Sequence, residues 1–290
     1  MAEREIAETP APQSPVPQSP WRRAMLHVRG LVAGPPLEPG LDVTLHLHPD
    51  RPVGEVLLLH HLVRDGEYRS QFETGSSNGG LTAHPGGDRW RWEQAMFAGA
   101  YDDAPAAQRP KYGSLNHRRR QAGGSVRFGS SHLRLAPHVL ARTTFCFPDS
   151  SMAPTTFGTA EHMPLVGLAD AADVDVLDDY VEAHVHGALR LNRDIAALVL
   201  DPSFRGTAVE DAAGALPFPV EWHHGFVLSV DELAAHAAYR GPEVVAVGRE
   251  VAQDGVLDAR VIGEAVRAGG HDPQALKRLW HCTARFGRPA

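Results

Sequence analysis

Two stretches of the chain alternate apolar and polar residues with the period of a strand. In "LDVTLHLHPD", Leu41, Val43, Leu45 and Leu47 fall on one face, and Asp42, Thr44, His46 and His48 on the other. In "DDYVEAHVHGALRL", Val181, Ala183 and Val185 face a core, and Tyr180, Glu182, His184 and His186 face away from it. "DIAALVLDP" is a continuous apolar run of the kind that fills a strand buried on both faces. The runs "EYRSQFETG", "SVRFGSSHLRL" and "ARTTFCFPDS" read as further short strands, joined by long loops rich in Gly, Ser and Thr.

The helical signals lie at the ends. "WRRAMLHVRG" and the apolar "VGEVLLLHHLV" read as helical early in the chain. Late in the chain, "SVDELAAHAAYR" opens with Ser229 and has Glu232 three residues on, the spacing of a capping box. "LDARVIGEAVRAGG" stops at glycines, and "HDPQALKRLWHCTARFG" has Asp272 as cap and Pro273 at the first helical position. This order predicts an α+β fold: a helical N-terminal part (21–65), a β-rich core (66–228) and C-terminal helices (229–290) in a single domain (21–290). Residues 1–20, rich in Pro, Ser and Gln, read as a disordered tail.

Composition narrows the function classes. With 290 residues, 43% hydrophobic and 22% charged, the chain can bury a sizeable core. A net charge of -7 argues against bulk nucleic-acid binding, which needs a basic surface. No apolar run approaches the length of a membrane span, and no signal-peptide pattern is present, so no membrane partner is expected. The two cysteines, Cys146 and Cys282, have neither metal-site spacing nor a disulfide-rich pattern, which makes a reducing cytoplasm the default compartment.

Candidate chemistry concentrates in three places. "YRSQFETGSSNGG" gathers Tyr68, Arg69, Gln71, Thr74, Ser76, Ser77 and Asn78 around little apolar surface. Read as extended chain, it offers Arg69 as a planar clamp for phosphate or carboxylate, with backbone N–H groups of the glycine-rich turn beside it. It is no Walker A loop, since no Gly-Lys-Ser/Thr follows, and a plain capped turn is the bland alternative. In "RFGSSHLRL", Phe128 could stack on a ring, and Ser130, Ser131 and His132 are polar residues in a strand setting. There is no Gly-x-Ser-x-Gly elbow, so a serine hydrolase is not favoured. Glu182 projects from the polar face of its strand, where an exposed sheet face is the bland reading. His184 and His186 share that face and, with His223 and His224 of "EWHHG", form an alternative metal-ligand set.

Together "YRSQFETGSSNGG", "RPKYGSLN", "RFGSSHLRL", "RTTFCFPDS" and "YVEAHVHG…LVLDPSFRGT" resemble the bacterial family catalogued as domain of unknown function 3626, over about residues 50–228. The order of an arginine after an aromatic, a Phe–Ser strand and a Glu strand is similar, more distantly, to the ADP-ribosyltransferase superfamily. That second resemblance implies a split, bent β core with flanking helices and NAD as substrate, with no metal. It assigns the NAD-holding role to Arg69, the central serine to Ser130 and the catalytic carboxylate to Glu182. The pattern departs in lacking Ser-Thr-Ser and in having Tyr180 where a Glu-x-Glu or Gln-x-Glu pair would place an acid or amide. The expected function is therefore ADP-ribosyl transfer or NAD glycohydrolysis, the partner being a dinucleotide or other phosphorylated small molecule. A His-rich metal-dependent hydrolase and a noncatalytic ligand-binding or interaction module on the same fold are the alternatives.

Overall fold

The computed structural model describes residues 18–75 and 82–290. Most of the expected tail, and Ser76, Ser77 and Asn78, lie outside the described residues. Helix α1 (Pro20–Arg29) starts at the last residue assigned to the tail, with proline in its first turn. Strand β1 (Val43–Leu47) and helix α2 (Leu58–Asp65) follow, then the one-turn helix Gln71–Thr74 and helix α3 (Asp88–Met96). The middle of the chain contributes β2 (Lys111–Leu115), β3 (Ser131–Leu135), β4 (Thr143–Phe147), β5 (Thr156–Thr159), α4 (Leu165–Ala171), β6 (Val181–Val185), β7 (Ile195–Leu200), α5 (Ala208–Ala213) and β8 (Val220–Trp222). Four helices close the chain: α6 (Val230–Ala235), α7 (Pro242–Val251), α8 (Ala259–Ala268) and α9 (Pro273–Phe286).

The protein has a mixed α+β architecture built on one eight-stranded sheet, ordered β8-β7-β3-β1-β2-β6-β4-β5. Every neighbouring pair is antiparallel except β7–β8. One expectation needs correction. The strands are hydrogen-bonded in one continuous series, so the β core is not split in two. The N-terminal part also supplies β1, the strand expected in "LDVTLHLHPD", which sits inside the sheet between β3 and β2.

The register sorts the side chains onto two faces. Thr44 pairs with Ser114 and Arg134, His46 with His132, Ser114 with Glu182, and Glu182 with Cys146. On the opposite face Leu45 pairs with Leu133, Leu115 with Val181, and Ala183 with Phe145. The alternation read from the sequence is thus real, but both faces are covered. All five residues of β1 and all five of β6 are buried. The apolar face joins one large cluster that includes Leu233, Val244, Leu276, Leu279 and Trp280 from the C-terminal helices. A second, smaller cluster of Ala24, Val28, Met96, Phe97, Ala100 and Tyr101 lies against Cys146 on the polar face. Among the described residues no helix is long and apolar enough to cross a membrane.

Local chemistry explains the ends of these elements. Asp272 accepts from the backbone N–H groups of Gln274 and Ala275, and Ser229 from that of Glu232, the caps expected from sequence. Gly129, ahead of β3, is required by close approach: a Cβ there would stand 2.3–2.5 Å from the backbone of Leu47. Gly129→Ala should therefore push the 126–129 turn off β1 and cost about 2 kcal/mol, the scale of an overpacked core. Urea melts check this, and a variant as stable as the parent would show that the turn can shift without loss.

Candidate functional site

A cavity of about 400 Å³ opens where β1, β2 and β6 meet α2 and the 67–74 segment. That size suits a small-molecule site. Its wall brings together Tyr68, Arg69, Gln71, Thr74, Phe128 and Glu182 of the residues singled out from sequence. Ser130, Ser131 and His132 are not among its lining residues. Ser131 Oγ accepts from the Asp201 N–H at 3.1 Å, and the Ser130 carbonyl contacts His223 Nε2 at 2.7 Å. His132 lies against His46, ring centres 5.2 Å apart, and lines a separate cavity with Arg134 and Glu221. Among the described residues, the serines on the Glu182 cavity are Ser114 and Ser125.

The 68–75 segment is not a strand. Ser70 is the N-cap of the one-turn helix Gln71–Thr74: its hydroxyl accepts from the Glu73 N–H at 3.2 Å, and Glu73 Oε2 accepts from the Ser70 N–H at 2.8 Å. The Ser-x-x-Glu spacing that marks this capping box was present in the sequence. The turn also redirects the candidate groups. Arg69 is half-exposed, and its Nε lies 3.0 Å from Asp65 Oδ2, so it is engaged by a neighbouring acid. Phe72 carries the guanidinium of Arg109 at 4.2 Å from its ring centre. Gln71 keeps a buried side-chain oxygen without a hydrogen-bond partner among the described residues, beside the cavity.

Glu182 is held at one oxygen. Oε1 accepts from the Ser150 N–H at 3.3 Å, contacts His184 Nε2 at 2.9 Å, and faces the Cys146 thiol at 3.9 Å. Oε2 has no partner among the described residues. A carboxylate that lines a cavity with only one oxygen engaged is free to bind a ligand hydroxyl with the other.

Sequence reasoning missed Arg89. Helix α3 carries it into the cavity wall, where its guanidinium lies 4.0 Å from the Tyr112 ring centre and 4.9 Å from that of Trp92. Its Nη1 donates to Ser150 Oγ at 3.1 Å. Burial opposes its charge, but Tyr112 and the Glu182 carboxylate outweigh that and raise its pKa. Behind it, buried Glu93 accepts from the Tyr112 hydroxyl at 2.9 Å and pairs with Arg109 at 2.6 Å. Arg109 also donates to the Tyr101 carbonyl at 2.9 Å. Arg89 is therefore pre-oriented by stacking and hydrogen bonding, as an anion-binding arginine must be.

The four-histidine metal set is not assembled. His223 follows β8 at one edge of the sheet, five strands along the order from β6, and its ring bonds at the β3 end. Both its ring nitrogens are engaged, with the Ser130 carbonyl and with the Gly225 N–H at 2.9 Å. His224 packs edge-on against Phe226. His184 and His186 are buried in hydrogen bonds to side chains of the sheet and its cover. Both cysteines are free and buried.

The chain matches the family model of proteins of unknown function DUF3626 over residues 42–169 and 161–285, and belongs to that family. No curated protein matches it.

Burial leaves a clear pH signature. It drives His46 and His281 down to about 3 and His48 and His223 down to about 4, and holds His132 and His186 well below the usual range. The unfolded chain takes up these protons near pH 6.5, the native state only near 4 or below at His46, His48, His223 and His281, and well below the usual range at His132 and His186. The unfolded state thus binds more protons in that window, and stability falls with pH, by up to about 1.4 kcal/mol per unit for each histidine. Burial raises Glu93 to about 7 and Asp201 to about 6, and lifts Asp42 and Asp50, which works the other way, but the histidines outnumber these carboxyls. Acid unfolding followed by circular dichroism should begin below pH 6 and finish above pH 4. A protein still native at pH 4 would contradict the buried, uncharged state of these rings.

Proposed function

We propose that this protein cleaves the nicotinamide–ribose bond of NAD, as an ADP-ribosyltransferase or an NAD glycohydrolase, with Glu182 as its catalytic residue. One observation carries the reading: Glu182, whose Oε2 has no partner among the described residues, shares a single cavity with Arg89, Arg69, Gln71, Tyr68 and Phe128. This is the combination of acid, cations and aromatic rings that a dinucleotide requires. In the proposed step the C–N bond breaks and its electron pair leaves with nicotinamide. The ribosyl cation is captured by water or by an acceptor hydroxyl, amine or amide, which releases a proton. Glu182 Oε2 would hold a ribose hydroxyl and stabilise the cation electrostatically. Arg89, and at the rim Arg69, would hold the pyrophosphate, while Phe128 and Tyr68 would stack on the rings of the dinucleotide. On this reading the continuous sheet is a variant of the ADP-ribosyltransferase type of β core, and Ser114 or Ser125, rather than Ser130, supports the nicotinamide.

Two substitutions test the assignment. Glu182→Gln keeps shape and hydrogen-bonding capacity but removes the charge, so NAD should still bind while nicotinamide release falls by about 10²-fold or more. Wild-type turnover in that variant would end the mechanism. Arg89→Lys should weaken ADP-ribose binding by about tenfold in calorimetry, because the planar fork and its stacking are lost. Arg69→Lys, at a half-exposed site already paired to Asp65, should cost less. Equal affinity for Arg89→Lys and wild type would remove Arg89 from the site. Tight NAD binding with no nicotinamide released would identify a binding module instead.

A further inference from the structure

Behind Glu182 four buried side chains form an unbroken hydrogen-bonded line. Tyr101 Oη lies 2.6 Å from His186 Nδ1, and His186 Nε2 2.9 Å from Thr144 Oγ1. Thr144 Oγ1 lies 3.2 Å from His184 Nδ1, and His184 Nε2 2.9 Å from Glu182 Oε1. Tyr101 is 1% exposed, and Thr144, His184 and His186 are fully buried.

The line has a direction. An ionised carboxylate only accepts, so His184 donates from Nε2. Its Nδ1 then accepts from the Thr144 hydroxyl. Thr144 has a single hydrogen to give, so its oxygen accepts from His186 Nε2. His186 Nδ1 in turn accepts from Tyr101, whose hydroxyl has no other hydrogen-bond partner among the described residues. Along the line every hydroxyl hydrogen and every ring lone pair has a partner. The reverse direction would strand the Tyr101 O–H in a buried site and set a histidine lone pair against the carboxylate, each at the cost of an unsatisfied buried polar group.

Packing fixes the rings in these positions. Phe97 meets His184 and His186 edge-on, with ring centres 5.4 and 5.2 Å apart, and Tyr101 is parallel to His186. The charged and titratable groups around the carboxylate are Arg89 from α3, Tyr112 from β2, Cys146 from β4 and Tyr180 just before β6.

We infer that Tyr101, His186, Thr144 and His184 are positioning residues: a one-way line that locks Glu182 Oε1 as an acceptor and leaves Oε2 to the substrate. The inference deepens the proposed NAD reaction and rests on Glu182 as its carboxylate. A metal ion at the same place is the competing use of these atoms, since Cys146, Glu182 and His184 bring their ligand atoms within 4.8 Å of one another. The 2.9 Å separation of Glu182 Oε1 and His184 Nε2 is that of a hydrogen bond. Two ligands of one tetrahedral zinc ion would stand about 3.3 Å apart. The Cys146 thiol, 3.9 Å from Glu182 Oε1, faces that oxygen as a hydrogen-bond donor.

Nitrogen-15 NMR of histidine-labelled protein, without NAD, reads the line directly. His184 and His186 should each carry one ring proton, on Nε2. Thr144→Val should disturb the His186 tautomer, and Thr144→Ser should preserve it. A proton on Nδ1 of either ring in the wild type, or stoichiometric zinc bound at His184, overturns the inference. Kinetically, Thr144→Val and the isosteric Tyr101→Phe should lower kcat for nicotinamide release about tenfold with KM within about twofold, and Thr144→Ser should recover most of the loss. Wild-type kcat in both Thr144→Val and Tyr101→Phe overturns it. A wild-type protein that releases no nicotinamide sinks the NAD reaction, while the tautomers still decide whether the line exists.

Discussion

Keeping a carboxylate under cover at the wall of a cavity is the constraint on which the rest of the site depends. Glu182 is 6% exposed. A buried carboxylate without compensation costs several kcal/mol, so its surroundings must supply donors and a countercharge. Ser150 supplies a backbone N–H, His184 a ring N–H, and Arg89 the charge. Each of these groups needs support of its own. His184 needs Thr144, His186 and Tyr101 behind it. Arg89 needs the Tyr112 face and Ser150, and Tyr112 in turn needs Glu93, which needs Arg109. The polar face of β1, β2, β4 and β6 is the consequence: a row of polar groups inside the protein, each with a named partner.

The covering layer follows from the same demand. Tyr101 reaches His186 only because Phe97, Ala100 and Tyr101 fold back after α3 and pack with α1 against Cys146. Arg109 fastens that layer from the other side, bonding Glu93 and the Tyr101 carbonyl while lying on Phe72 of the capped turn. The turn that frames the cavity mouth and the tyrosine that ends the hydrogen-bonded line are thus tied through one guanidinium.

Much of the fold was legible because alternation is a local property. The two faces of β1 and β6, the buried run of β7, and the caps of α6 and α9 could be read directly. What could not be read is what lies on top of a strand. The polar faces of "LDVTLHLH" and "VEAHVH" have the pattern of a solvent-facing sheet, and only the tertiary fold reveals that helices and loops cover them. Arg89 escaped because "DRWRWEQAM" has tryptophans and charges on several sides of the helix, so no stripe marks which arginine turns inward. The Ser70–Glu73 capping box was misread as strand because its neighbours also alternate. The histidines were grouped by residue type, whereas strand order separates His223 and His224 from His184 and His186. Ser130 and His132 were grouped with Glu182 by their order in the chain, but β3 stands three strand spacings from β6, and neither residue lines the Glu182 cavity.

The central claim is that the Glu182 cavity is the ligand site, and a crystal structure of the Glu182→Gln protein soaked with NAD tests it most directly. The account predicts the nicotinamide ribose within hydrogen-bonding distance of residue 182, the pyrophosphate against Arg89 and an aromatic ring of the ligand on Phe128 or Tyr68. Dinucleotide bound instead in the cavity lined by Asp42, Arg119, Arg134 and Glu221, or no binding at millimolar NAD, would contradict it.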